Sequence, residues 1–246
     1  GKLLFLTEHL QRLYDDAKAI SLKIHVNKKE LTKYLIQTVK KNKMLSDVHI
    51  RLIISRGIKS TPYQDPSFTI SKPTIVIIPE YKKPDEKLYK KGLILKTVKT
   101  IRGPKNVQDP VLNTLSKLNC ILACIEAKKN NADEALMHDI NGNIATNNST
   151  HFFFIKDNKV YTSTGNYCVK GITRKNVIDI CKSNKIRIYQ KNFKLKDVMK
   201  ADEAFVTGTF ANIIPVKKIN NKKFSIKKSN LTFVIRNLYL EKINSY

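Results

Sequence analysis

The sequence predicts a mixed α+β / α/β fold arranged as two domains. Stretches with apolar residues at helical spacing alternate with short β-branched runs, the mark of a layered fold of helices on sheets. An aperiodic stretch at 99–112 that contains Gly103, Pro104 and Pro110 interrupts them and reads as a connection between domains. With 246 residues and 41% hydrophobic composition, the chain has the length and apolar content for one large or two modest domains. The expected division is a smaller α+β domain over 1–98, the connection over 99–112, and a larger domain over 113–246.

In the first part, Leu10, Leu13, Tyr14 and Ala17 share one helical face between Leu6 and Ile20, with Thr7 as the expected N-cap. Asn27 to Met44 repeats the pattern through Leu31, Tyr34, Leu35, Thr38 and Val39. Val48 to Ile54, Thr74 to Ile78 and Leu93 to Val98 are β-branched and read as strands. In the second part, Ser116 to Lys128 reads as a helix and Glu134 to Met137 as a short strand. Asn141-Gly142 is the strongest hairpin-turn signal in the chain. Phe152 to Ile155, a turn at Asp157-Asn158 and Val160 to Thr162 make a second hairpin. Gly171 breaks the chain before a helix from Ile172 to Ser183, Glu203 to Val206 is a strand, and Leu231 to Tyr239 closes the chain as a helix or a strand.

Composition limits the function classes. The longest apolar runs, such as 74–78, stop far short of the ~20 residues that a membrane span needs, and no signal-peptide pattern opens the sequence. Four cysteines without Cys-x-x-Cys spacing or nearby histidines predict buried free thiols, no metal site and a cytoplasmic setting. The net charge of +26 raises a nucleic-acid reading. Yet lysine is spread over expected helix surfaces, loops and the end of the chain together with abundant Asn and Ile, the background of an AT-rich coding sequence rather than a basic stripe interleaved with aromatics. The expectation is therefore no nucleic-acid partner, with a field that still attracts small phosphorylated or carboxylated ligands.

Two short segments could hold an anion. Gly171-Ile172-Thr173-Arg174 opens a helix, and Thr207-Gly208-Thr209-Phe210-Ala211 follows a strand. Each presents backbone N–H groups and hydroxyls, and a helix N-terminus favours phosphate through its orphan donors and dipole. Taken alone, each is equally a turn or a helix cap.

Their order along the chain adds to that reading. Glu8-His9-Leu10-Gln11-Arg12-Leu13, Ile50-Arg51, Glu126-Ala127, Ala132-Asp133-Glu134-Ala135-Leu136, Gly171-Ile172-Thr173-Arg174, Ala201 to Thr209 and Pro215-Val216 resemble, in sequence order, the fold-type-IV pyridoxal-phosphate aminotransferases. That family includes the branched-chain and D-amino-acid aminotransferases and the aminodeoxychorismate lyases. The resemblance implies pyridoxal 5′-phosphate as cofactor, bound between two domains, an amino acid and a 2-keto acid as substrates, and a homodimer. It also implies an N-terminal domain lacking its first strands, because family members begin with strands ahead of the 1–5 stretch.

Carried over by position, the resemblance makes Arg12 the phosphate-binding arginine, with Ile172, Thr173 and Thr209 forming the rest of the phosphate cup. His49 and Arg51, two residues apart on a strand and so on one side of it, would line the substrate pocket. Phe210 and Ala211 match residues whose backbone approaches the substrate carboxylate.

Two departures concern the chemistry. The family's Schiff-base lysine stands thirteen residues before the Glu of the Glu-Ala pair, which here is Asn113, and an amide nitrogen is not nucleophilic. The next lysine is Lys117, one helical turn on, about 6 Å along the axis, and in a first turn where the macrodipole disfavours an ammonium. Lys117 is therefore the expected catalytic lysine. Where the family places a glutamate on the pyridine nitrogen, this chain has Thr146, whose hydroxyl can hydrogen-bond that nitrogen but cannot balance a positive charge there. The expected function is branched-chain-like transamination, with an aminodeoxychorismate-lyase-like activity or an inactive protein of the same fold as the alternatives.

Overall fold

The computed structural model describes residues 2–246 and divides into two compact units, Gly1–Lys83 and Pro84–Tyr246. In the first, α1 (Leu6–Ala19) starts after Phe5, whose left-handed backbone (φ 51°) turns the chain into the helix, so the expected cap at Thr7 lies already inside it. α2 (Lys28–Lys41) starts as its sequence dictates. Asn27 Oδ1 accepts from the Glu30 N–H at 2.9 Å, and Glu30 Oε2 accepts from the Asn27 N–H at 2.8 Å, so two orphan donors are satisfied reciprocally. β1 (Val48–Ser55) and β2 (Thr74–Tyr81) form an antiparallel ribbon from Val48 opposite Tyr81 to Ser55 opposite Thr74. Ile50, Leu52, Ile54, Ile75 and Ile77 pack with buried Leu10, Leu31 and Leu35 of the two helices. Alternation then places His49 and Arg51 on the other face of the ribbon.

The second unit contains α3 (Glu86–Lys91), β3 (Leu93–Thr97), α4 (Leu118–Lys129), β4 (Glu134–His138), β5 (Ile144–Asn147), β6 (His151–Lys156) and β7 (Lys159–Thr162). It continues with α5 (Ile172–Ser183), β8 (Ile188–Gln190), α6 (Leu195–Val198), β9 (Glu203–Gly208), β10 (Asn212–Ile219), β11 (Lys222–Lys223) and α7 (Leu231–Asn244). Among the described residues these strands make one nine-stranded sheet in the order β5-β4-β3-β10-β9-β6-β7-β8, with β11 paired to β10. β3, expected in the first domain, lies inside this sheet, parallel to both β4 and β10. The compact units therefore divide at Lys83, ahead of the expected boundary at 98, and 99–112 is an excursion within the second unit.

The sheet has to curl. β5 and β6 stand five strand positions apart, roughly 24 Å in a flat sheet, yet only residues 148–150 join them, a link that reaches at most about 14 Å. Curling gives two faces. Leu95, Leu136, Ile144, Phe152, Phe154, Val206, Ile214 and Val216 fill one core. On another face Ala135 and Met137 pack against Ala123 and Ala127 of α4. The turns that set the strand register are those read from the sequence: Gly142 has φ 70°, and Asp157 and Asn158 have φ 50° and 55°, the left-handed pair that a two-residue hairpin turn requires.

Glu126 shows what the Glu-Ala signature does locally. Its carboxylate accepts from the N–H of Lys99 at 2.8 Å, the N–H of Thr100 at 3.1 Å and the Thr100 hydroxyl, tying α4 to the strand that leaves β3. The Thr100 hydroxyl, followed by the two backbone donors, lowers the carboxyl pKa below its ordinary 4.5. A depressed folded-state value makes this contribution to stability complete above the ordinary carboxylate range and lost as pH falls through the folded value. The difference in urea midpoint between wild type and Glu126→Gln is therefore expected to shrink as pH is lowered below 4.5. A difference that stays constant with pH would show that the carboxylate charge plays no part.

All four cysteines are free. Cys168 and Cys181 are buried as expected, and burial pushes the Cys181 thiol up to about 12. Cys120 and Cys124 on α4 are only half-buried. Among the described residues no helix is long and apolar enough to cross a membrane.

Candidate active site

Four loops of the second unit converge at one end of the curled sheet, and each carries a residue singled out from the sequence. The first is the start of α5. This helix has 12 residues, and its N-cap, Gly171, offers no side chain to its own first turn, so the N–H groups of Ile172 and Thr173 belong to the set that a helix leaves without intrahelical partners. Glycine is needed at 171 for space rather than for φ, because a Cβ there would stand 2.3 Å from the His151 ring. Thr173 is buried, and its side chain hydrogen-bonds the Tyr239 phenol of α7, while burial raises the Tyr239 pKa overall.

His151 joins this helix start to the sheet. It opens β6, stands opposite Thr207 of β9, and its Nε2 lies 2.7 Å from the Val169 carbonyl. Beyond Thr207, β9 turns into β10 through Thr209, Phe210 and Ala211, with Gly208 opposite Asn212. Thr209 is exposed, Phe210 and Ala211 are half-buried, and the Ala211 carbonyl accepts from the Tyr89 hydroxyl at 3.3 Å. A side chain at Gly208 would meet Thr150 Cγ2 at 3.5 Å, so the β5–β6 turn lies against the β9–β10 turn.

Thr146 enters through that β5–β6 turn. It is buried in β5, and its hydroxyl donates to the Thr150 carbonyl at 2.9 Å. The hydroxyl expected to hydrogen-bond a ring nitrogen therefore belongs to a strand residue, and its proton is committed. Its lone pairs can still accept a hydrogen bond. Glu134, from the Ala-Asp-Glu-Ala-Leu segment, holds this turn by accepting from Asn147 Nδ2 at 3.0 Å, Ser149 Oγ at 2.5 Å and Thr150 Oγ1 at 2.6 Å.

The fourth loop carries Asn113 and Lys117. It reaches the others through the Lys170 N–H, which donates to the Val111 carbonyl at 3.3 Å one residue ahead of Gly171. Residues 113–117 are not helical. α4 begins at Leu118 and Lys117 is its N-cap, so the helical-turn geometry expected between the two residues does not apply. The side chains nevertheless meet, with Lys117 Nζ 3.2 Å from Asn113 Oδ1.

The loop is fixed from below by Arg102, which sequence reasoning passed over as part of a connection. Arg102 is buried, and its guanidinium donates to the carbonyls of Tyr167 and Pro110, both at 3.1 Å, to Asn119 Oδ1 at 3.2 Å and to Cys120 Sγ at 3.0 Å. The available signal was a single arginine beside Gly103-Pro104 with no acid next to it, a weak one.

Three expected site residues lie in the first unit. Arg12 is on α1 with its guanidinium pKa lowered by burial, against which Asp16 works. His49 Nδ1 is 3.0 Å from Glu80 Oε1, its cross-strand partner, and Arg51 is exposed on the same face of the ribbon.

The start of α5 leaves the N–H groups of Ile172 and Thr173 without intrahelical partners, an arrangement that favours an anion such as phosphate. The chain belongs to the class IV aminotransferase family, whose model matches residues 1–219, and this family depends on pyridoxal phosphate. It is 34% identical to a putative branched-chain-amino-acid aminotransferase of Methanocaldococcus jannaschii, covering 93% of this chain and 78% of that protein. It is also 34% identical to the branched-chain-amino-acid aminotransferase-like protein 2 of Arabidopsis thaliana, over 90% of this chain but only 40% of that relative's length. Among solved structures, a branched-chain amino acid aminotransferase from T.th. with pyridoxamine 5′-phosphate matches with a TM-score of 0.90 at 27% identity, covering 98% of this chain and 79% of that one. The mixed fold expected from the sequence is thus the aminotransferase fold.

Proposed function

We propose that the protein transfers an amino group between a branched-chain-type amino acid and a 2-keto acid, with Lys117 as its catalytic lysine. The observation that carries this reading is the 3.2 Å contact between Lys117 Nζ and Asn113 Oδ1. Asn113 stands where the resemblance puts the family's lysine, so the amine of Lys117 reaches the side chain of that position although it starts four residues later.

The donor set fits the cofactor. The N–H groups of Ile172 and Thr173 and the exposed Thr209 suit a phosphate dianion. Pyridoxal phosphate, when bound, supplies a carbonyl carbon that carries the amino group and a conjugated ring that takes up the electron pair left at the substrate Cα. With the cofactor bound, Lys117 Nζ would take the proton from that Cα and pass it to the cofactor carbon that carries the amino group. Thr146 accepts a hydrogen bond through its lone pairs and brings no negative charge, so the ring nitrogen is less strongly held in its protonated state and proton removal is slower than with a carboxylate there. Arg12 on the phosphate, and His49, Arg51, Phe210 and Ala211 on the substrate, enter the proposal from the resemblance.

A homodimer is also part of the proposal. Leu118, Ile121, Leu122 and Ile125 form an exposed apolar stripe along α4 at i, i+3, i+4 and i+7, a pattern that marks a protein interface. Light scattering is expected to give twice the chain mass for wild type and the single-chain mass for Leu122→Glu; a monomeric wild type would remove the dimer.

The function is tested with pyridoxamine 5′-phosphate and a branched 2-keto acid, following formation of the amino acid by mass spectrometry. Amino acid produced by wild type and lost in Lys117→Ala supports transamination. The alternative raised by the substitutions at Asn113 and Thr146, an inactive protein of the same fold, holds if the cofactor binds and no amino acid forms.

A further inference from the structure

We propose that Asn113 is a positioning residue whose carboxamide oxygen holds the Lys117 amine in place; this rests on the assignment of Lys117 above. The backbone on both sides of Asn113 is fixed. Asp109 Oδ1 accepts from the Val111 N–H at 3.0 Å, Arg102 donates to the Pro110 carbonyl at 3.1 Å, and Gln108 Nε2 donates to the Ser116 carbonyl at 3.0 Å, closing the loop around 113. Lys117 itself follows Ser116 directly and caps α4.

The helix end does not explain where the amine goes. A positive group at a helix N-terminus is disfavoured by the macrodipole and by the N–H groups that point outward there, so the lysine arm gains nothing from α4. Asn113 Oδ1 is an acceptor at its tip, 3.2 Å away. A lysine side chain has about 2 kcal/mol of rotamer entropy to lose when its tip is fixed, and a neutral acceptor opposes that loss without adding the charge that a carboxylate would bring. An amide is well suited to this role, since it accepts from the amine in either protonation state and cannot itself bond the cofactor carbonyl. The loss of the lysine at 113 and the gain of one at 117 then form a single exchange, with the old position turned into the anchor of the new amine.

The test measures covalent trapping at individual lysines. The whole chain is mixed with pyridoxal phosphate and then borohydride. Each reacting amine forms an N–C bond with loss of water, and hydride from borohydride reduces the resulting C=N bond. Peptide mass spectrometry follows the rate at each lysine, with the other lysines as internal references. Lys117 is expected to be the fastest site in wild type. Asn113→Leu, similar in size but without an acceptor, is expected to slow Lys117 about three- to tenfold, the worth of one hydrogen bond, and to leave the other lysines unchanged. Asn113→Gln, which keeps a neutral amide oxygen on a longer arm, is expected to recover most of the rate. In Asn113→Lys/Lys117→Asn the label is expected at position 113.

Equal Lys117 rates in wild type and Asn113→Leu would overturn the positioning role alone, with Lys117 still the preferred site. Equal slowing in the Leu and Gln variants would also overturn it, because a packing role would then explain both. A wild type with no preference for Lys117 would overturn the assignment of the lysine itself.

Discussion

Lys117→Ala is expected to bind pyridoxal phosphate through the α5 cup and yet to transaminate at least about 10²–10⁴-fold more slowly than wild type, the usual worth of a positioned acid–base group. The cofactor should still bind because the groups proposed to hold phosphate lie on α5 and the β9–β10 turn, and the altered side chain belongs to neither. Fold should be retained as well. The Lys117 side chain gives the N-cap no hydrogen bond, and Ser116 and Asn119 stay anchored to Gln108 and to the Ile101 carbonyl. Turnover with added pyridoxal phosphate, beside a thermal melt, checks both points. A Lys117→Ala protein with wild-type turnover would remove this lysine from the chemistry.

The second large effect is expected at Arg102. Arg102→Leu removes the donor shared by Pro110, Tyr167, Asn119 and Cys120 and leaves buried carbonyls without it. Each acceptor stranded in this way costs about 1–3 kcal/mol, and the acceptors relax together because they share one loop, so a total loss of about 2–5 kcal/mol is expected from urea unfolding. The same change should slow trapping at Lys117, because the loop that carries Asn113 loses its anchor at Pro110. A stability within about 0.5 kcal/mol of wild type, the range of an ordinary surface substitution, would show that Arg102 does not organise this loop.

Much of the fold was legible where local chemistry decides it. The helix after Asn27, the Asn141-Gly142 and Asp157-Asn158 turns and the Gly171 break before Ile172–Ser183 each follow from nearby residues, and the structure has all of them. The C-terminal segment was left between helix and strand, and packing settles it as α7 with Thr232, Ile235 and Tyr239 buried.

What was not legible depends on partners distant in sequence. β3 reads as a strand, but nothing in 93–97 shows that it will sit between β4 and β10. β10 escaped notice because Pro215 argues against a strand. Its neighbour β3 tolerates the proline next to a shift in register between Val216 and Lys218. The site behaved in the same way. The helix start proposed to hold phosphate was readable, because the glycine at 171 and the threonine at 173 mark it locally. Arg102 was not, since its four acceptors come from segments up to 65 residues away. The Thr146 hydroxyl was read correctly as a residue type, but its commitment to the Thr150 carbonyl appears only once β5 forms.

The measurement that bears most directly on the account is the location of the trapped cofactor in the unaltered chain. Wild type treated with stoichiometric pyridoxal phosphate, reduced with borohydride and digested is expected to give one dominant phosphopyridoxyl peptide, modified at Lys117. Label scattered over surface lysines, or concentrated on any other residue, would contradict the assignment of Lys117 as the catalytic lysine.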